Sequence, residues 1–159
     1  MKLTLAAVGK IKRGPETELV ERYWKRTEQA GRALGFSSFS VIELSESRAS
    51  STEQRRAEES EDLSSRCPAT SALLVFDEHG KMLSSRDFAT LLANLRDEAR
   101  DVVLAIGGAD GHGDLVRQNA YKVISLGRIT LPHQLARILV AEQCYRAMTI
   151  LSGHPYHRD

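Results

Sequence analysis

A chain of 159 residues and 17.6 kDa, 42% hydrophobic and 27% charged, has the size and composition of one soluble globular domain over residues 1–159, with too little chain for two independent cores. Its 22 basic and 21 acidic residues leave a net charge of +1, so no overall field draws it to nucleic acid and any such binding rests on local patches. Cys67 and Cys144 match no zinc or redox spacing, no apolar run reaches the length of a membrane span, and the first residues lack signal-peptide flanks. The expectation is a cytoplasmic protein with free thiols, no metal and no membrane segment.

Residues 2–8 read as a short buried strand leading into a loop, Gly9 to Pro15, that carries Lys10, Lys12 and Arg13. Leu19, Val20, Tyr23, Trp24, Ala30 and Leu34 then recur at helical spacing. Phe36 to Leu44 alternates imperfectly between apolar and polar, which suits a strand at a sheet edge. From Ser45 to Pro68 the composition turns to Ser, Glu and Arg, and Thr52 to Leu63 predicts an exposed, weakly anchored helix rather than a linker. Ala72 to Phe76 is a compact apolar run closed by the loop Asp77 to Lys81. A helix over Ser85 to Ala99 follows, with Phe88, Leu91, Leu92 and Leu95 on one face, then a second run, Val102 to Ile106, closed by Gly107 and Gly108. Leu115 to Tyr121 predicts a short helix, and Val123 to Leu126 a last strand entering the Gly127 loop. Continuous apolar runs alternating with amphipathic helices signify strands buried on both faces, so the predicted fold is α/β, a mostly parallel sheet with helices on both sides.

The C-terminal third is unusual. A helix from Pro132 to Leu151 is apolar nearly all round, with Leu135, Ile138, Leu139 and Tyr145 on one side and Val140, Cys144, Ala147, Met148 and Leu151 on the other. A helix without a polar stripe is buried on two sides, which in a chain this short points to a partner chain. Arg137, Glu142 and Arg146 interrupt it, either as a surface ion pair at i and i+4 or as charges lining a cleft or interface. Beyond Gly153 the tail holds His154, Tyr156, His157 and Arg158, a density of hydrogen-bonding and stacking groups that marks a site rather than a frayed end.

Ligands of open parallel sheets sit beyond the carboxyl ends of the strands. The loops there are Lys10 to Gly14, Asp77 to Lys81, Gly107 to Gly113 and Gly127 to Pro132. The run Gly107-Gly-Ala-Asp-Gly-His-Gly113 is either a ligand loop or a set of tight turns. It does not match G-x-G-x-x-G, and no G-x-x-x-x-G-K-[ST] or G-x-S-x-G is present, which disfavours dinucleotides, triphosphates and an elbow serine. The five histidines form no metal-binding pattern.

Four ordered motifs, Leu104 to Gly111, Leu126 to His133, Leu139 to Ala147 and His154 to Arg158, with the opening Met1 to Gly9, closely resemble the small SPOUT-class methyltransferases that methylate N3 of a pseudouridine in large-subunit ribosomal RNA. The resemblance covers essentially the whole chain. It implies S-adenosyl-L-methionine as cofactor, a trefoil-knotted C-terminal region, a homodimer, and 23S ribosomal RNA in the large subunit or 70S ribosome as substrate. Carried over, the cofactor contacts fall on Phe76, Gly107, Leu126, Gly127, Arg128, Ile129, Thr130 and Leu131, although relatives often have leucine at position 76 and a serine-alanine pair at 127 and 128. Catalytic roles fall on His157, Arg146, Glu142 and Tyr156, with Glu142 and His157 both open as the general base. RNA contacts fall on Arg158 and His154, while Lys10, Lys12 and Arg13 are either contacts to RNA phosphates or an ordinary solvated loop. A side chain introduced at Gly107 is expected to occupy ligand space. Two competing readings remain: another SPOUT methylation, at a ribose 2′-oxygen or a guanine, and a ribosome-binding factor without catalysis.

Overall fold

The computed structural model describes residues 1–158. Five strands, β1 (Lys2–Val8), β2 (Ser38–Leu44), β3 (Ala72–Met82), β4 (Val102–Ile106) and β5 (Lys122–Ser125), form one sheet in the order β2-β1-β4-β3-β5, every pairing parallel. The imperfectly alternating β2 takes an edge, as its pattern predicts. Around the sheet lie α1 (Pro15–Gly31), α2 (Thr52–Ser65), α3 (Ser85–Asp97), α4 (Asp114–Asn119) and α5 (His133–Leu151), with a 3-10 turn over Arg32–Leu34.

Alternate residues of each strand point into two separate cores. Leu3, Leu5, Leu74, Leu104 and Ile106 meet Val20 and Trp24 of α1, Leu92 and Leu95 of α3, and Val140, Cys144 and Met148 of α5. Ala6, Val8, Leu73, Val75, Val103 and Ala105 meet Leu63 of α2 and Val116 of α4. Burial on both faces is why β3 and β4 read as unbroken apolar runs. Local signals set the helix starts: Pro15 opens α1, Ser51 accepts from the Gln54 N–H to cap α2, and Ser84 forms a capping box with Asp87 ahead of α3.

Two expectations are corrected. The helix α2 is not weakly anchored, because Glu59, Ser60 and Leu63 are buried and Arg55 pairs with Asp110 at 2.6 Å across the chain. The segment Asp77 to Lys81 is not a closing loop. It continues β3 through an irregularity after Phe76 and pairs Lys81 with Ile124 and Met82 with Ser125. Gly80 makes this possible, since a Cβ there would lie 2.5 Å from the Ile124 backbone. Within this chain α5 buries one side only: Val140, Ala141, Cys144, Ala147 and Met148 are inside, while Leu135 and Leu139 are 46% and 39% exposed.

Candidate active site

Because every strand runs the same way, the carboxyl ends of β3, β4 and β5 open together, and a cleft of about 510 Å³ lies beyond them. Phe76, Ile106, Leu126 and Leu131 supply apolar lining, and Gly108 to His112 and Gly127 to Leu131 bring backbone. Gly111 and Gly127 have φ of +79° and +129°, and a Cβ at either would meet nothing within 4 Å, so both loops present bare main chain to open space. Gly127 is held there by Ser125, whose hydroxyl accepts from the Gly127 N–H at 3.1 Å and donates to its carbonyl at 2.9 Å. Of the residues expected to hold the cofactor, Phe76, Leu126, Gly127, Ile129, Thr130 and Leu131 line the cleft; Gly107 and Arg128 do not. A Cβ on Gly107 would stand 3.0 Å from the Gly111 backbone carbon, so a side chain there presses on the loop that lines the cleft.

The polar rim is built by residues that sequence reasoning left aside. Asp77 accepts from the His79 N–H at 3.0 Å and from Arg117 Nε at 2.9 Å. Burial pushes its carboxyl up, but these two donors outweigh burial and hold it below the usual carboxylate range. His112 is 3% exposed, and its Nε2 donates to the Phe76 carbonyl at 3.1 Å, with burial driving its pKa down. Arg55 and Arg56 of α2 grip Asp110 by its carboxylate and its carbonyl, at 2.6 and 2.5 Å, and the Gly113 N–H donates to Ser60 at 2.8 Å. The one sequence signal for this rim is position: Asp77 and Asp110 each follow directly on a buried strand or its paired glycines.

The tail forms a second cluster. Glu142 accepts from Arg146 Nε and Nη2 at 3.0 and 2.6 Å and from the Tyr156 hydroxyl at 3.1 Å, while Gln143 donates to its other oxygen at 2.7 Å. Arg146 also meets His157 Nδ1 at 3.3 Å and stacks over Tyr156, 4.9 Å from the ring centre. Tyr145 lies between Tyr156 and Tyr23, with centroid separations of 4.7 and 6.3 Å, and Arg26 stands 5.7 Å above it. Burial, Tyr23 and the Glu142 charge push the Tyr156 phenol up, so it stays a donor. His154 and Arg158 are exposed. The four residues expected to be catalytic therefore meet, but away from the cleft of their own chain. None of the four lines the cleft, which touches α5 at Ala136; a neighbouring hollow that shares Phe76, Leu126 and Gly127 runs along α5 to Leu139 and Gln143.

Near the start of α5, Arg137 is 1% exposed. It donates to Glu43 Oε1 and the Val8 carbonyl, each at 2.7 Å, and to the Gly9 carbonyl. Glu43 also accepts from the Ile11 N–H at 3.0 Å, so the start of α5 is tied to the loop carrying Lys10, Lys12 and Arg13, all three exposed. Among the described residues no group of histidine, cysteine or acidic side chains could hold a metal ion, and no helix is long and apolar enough to cross a membrane.

Residues 1–157 match the family described as "Predicted SPOUT methyltransferase". The ribosomal RNA large subunit methyltransferase H of Brucella anthropi is 48% identical over 160 residues, covering 100% of both chains. The proteins of that name from Agrobacterium fabrum and Rhizobium meliloti are 49% and 50% identical over 159 residues, covering 99% of each chain. Among solved structures, the SpoU methyltransferase AviRb from Streptomyces viridochromogenes in complex with AdoMet superposes with a TM-score of 0.40 at 13% identity, covering 92% of this chain and 57% of that one, a likeness too loose to carry an argument.

Proposed function

The chain belongs to the SPOUT methyltransferase family, whose members use S-adenosylmethionine, and from that premise we propose that it methylates N3 of a pseudouridine in the 23S RNA of the large ribosomal subunit. The observation that carries this reading is full-length identity near one half to ribosomal RNA large subunit methyltransferases H, together with a cleft at the carboxyl ends of β3, β4 and β5 whose lining includes Phe76 and the loop Leu126 to Leu131.

The residues present fit the cofactor: apolar side chains for a flat base, main chain from two glycine loops for polar groups, and a volume suited to a ligand of its size. Bound there, S-adenosylmethionine supplies an electrophilic methyl group. Phe76 and Leu131 exclude water from it, and the 126–131 loop orients it through main-chain groups, so that the chain contributes chiefly position. Glu142, engaged by four donors, acts as a fixed carboxylate that sets Arg146 and Tyr156, and His157 is the better placed group to take the proton from N3. Arg146 and Arg158 stabilise charge developing on the uracil carbonyls or on phosphate.

The reading includes a single domain over residues 1–159, a trefoil-knotted C-terminal region, a homodimer and a cytoplasmic location. The exposed Leu135 and Leu139 on the uncovered side of α5 and Ile129, 81% exposed at the cleft, support a partner chain. So does the position of the tail cluster outside the lining of its own cleft, since a partner's tail would then complete each site. Incubating the protein with labelled S-adenosylmethionine and ribosomal particles, then digesting the RNA and identifying the methylated nucleoside by mass spectrometry, tests the function. The expected product is N3-methylpseudouridine. A methylated guanine or ribose indicates a different SPOUT reaction, and cofactor binding without transfer to any RNA sinks the proposal.

A further inference from the structure

We propose that Arg56 is a further binding residue of the cleft, presenting its guanidinium to the carboxylate at the methionine end of the cofactor. The proposal rests on the reading of the cleft as a S-adenosylmethionine site.

Arg56 projects from α2 onto the cleft rim, where its Nε donates to the Asp110 carbonyl at 2.5 Å. That bond fixes the plane of the guanidinium and leaves its two terminal nitrogens without a hydrogen bond among the described residues. The carbonyl itself is held still: Arg55 grips the Asp110 carboxylate at 2.6 Å and spends its terminal nitrogens on the Ala49 and Ser50 carbonyls and the Thr52 hydroxyl. The two neighbouring arginines are thus divided in task, one building the loop and one facing the cleft.

The charges of the rim single out Arg56. Asp77 is matched by Arg117 at 2.9 Å and Asp110 by Arg55 at 2.6 Å. Among the described residues Arg56 makes no ion pair; its hydrogen bond goes to the Asp110 carbonyl, and the Asp110 carboxylate, taken by Arg55, feels its charge only at longer range. A fixed fork whose terminal nitrogens carry no hydrogen bond is suited to a planar oxyanion, which it binds in a bidentate manner. The cleft is apolar at Phe76, Ile106, Leu126 and Leu131 and charged at this rim, and the cofactor has the same division between a flat adenine and a charged amino-acid end. An RNA phosphate is the other oxyanion this chemistry accepts.

Calorimetric titration of S-adenosylmethionine and of its decarboxylated form into the unsubstituted protein and the Arg56→Ala and Arg56→Lys variants separates these ligands. In the unsubstituted protein, removing the carboxylate is expected to weaken binding about tenfold, the effect of losing one charge-assisted contact at a partly solvated site. Arg56→Ala is expected to weaken S-adenosylmethionine by the same factor and to bind both forms alike, with Arg56→Lys between. Equal weakening of both forms by Arg56→Ala would mean that the loop, not a carboxylate contact, has been lost, and would overturn the proposal. Unchanged cofactor affinity with weaker, less salt-sensitive RNA binding assigns the guanidinium to phosphate and overturns it too. Failure of the unsubstituted protein to bind S-adenosylmethionine removes the functional reading itself, an outcome distinct from either.

Discussion

The Tyr156 hydroxyl donates to Glu142 Oε1 at 3.1 Å, folding the tail along the far half of its own α5. The tail residues Tyr156 and His157 are not among those lining the cleft of their own chain, and in the proposed dimer the partner's tail would complete each cleft. Mixing two inactive variants tests this arrangement. Gly107→Val disrupts the cleft, because its side chain displaces Gly111, and truncation after Gly153 removes the tail. After verified subunit exchange the mixed dimer is expected to recover one working site, formed from the intact cleft of the truncated chain and the intact tail of the other. If every mixed dimer stays inactive, tail sharing is wrong.

Lys10, Lys12 and Arg13 are exposed on a loop whose backbone is pinned by Glu43 through the Ile11 N–H. A pinned loop with free cations suits phosphate contact. Replacing all three by alanine is expected to weaken RNA binding and to flatten the plot of log affinity against log salt by up to about 0.9 per lost contact. A slope identical to that of the unsubstituted protein returns the loop to ordinary solvated surface. Cofactor affinity should not change in either case.

Arg137 is buried against two main-chain carbonyls and one carboxylate. Arg137→Met keeps most of the volume but removes the buried donor to the Val8 and Gly9 carbonyls and to Glu43, and is expected to lower stability by about 3 kcal/mol in urea titration. Glu43→Gln keeps an acceptor for both Arg137 and Ile11 and should cost less, since Glu43 is 34% exposed and its charge is partly screened. Equal losses from the two substitutions would contradict this account of the network.

His112 titrates in the folded protein below its ordinary value, because burial disfavours the imidazolium and outweighs the pull of Asp77. A depressed histidine makes the unfolded chain bind more protons, so stability is complete above the unfolded value near 6.5 and declines as pH falls below it. Glu59, which burial pushes up, acts in the opposite sense and makes the bare pH profile hard to interpret. The useful measurement is therefore a difference. The stability advantage of the unsubstituted protein over His112→Leu should shrink between pH 7 and pH 5. A constant difference across that range would mean that His112 is not buried in its neutral form.

The sequence alone determined the elements whose burial is periodic. Leu73, Val75, Val103 and Ala105 face one core while Leu74, Phe76, Leu104 and Ile106 face the other, so β3 and β4 had to read as unbroken apolar runs, and the loops following them had to fall at one end of a parallel sheet. The glycine loops, the helix of the C-terminal third and its Glu142–Arg146 pair were legible for the same reason: they rest on spacing along the chain. Tertiary structure decided what depends on partners far apart in sequence. Arg55 finds Asp110, Arg117 finds Asp77, and Arg137 finds Glu43 across 55, 40 and 94 positions, and such contacts leave no periodic trace. The continuation of β3 through Gly80 was hidden likewise, because polar residues at an irregular sheet edge look like loop until β5 lies beside them. Hydrophobic patterning encodes which side of an element is dry; it does not encode which donor meets which acceptor once the elements have packed.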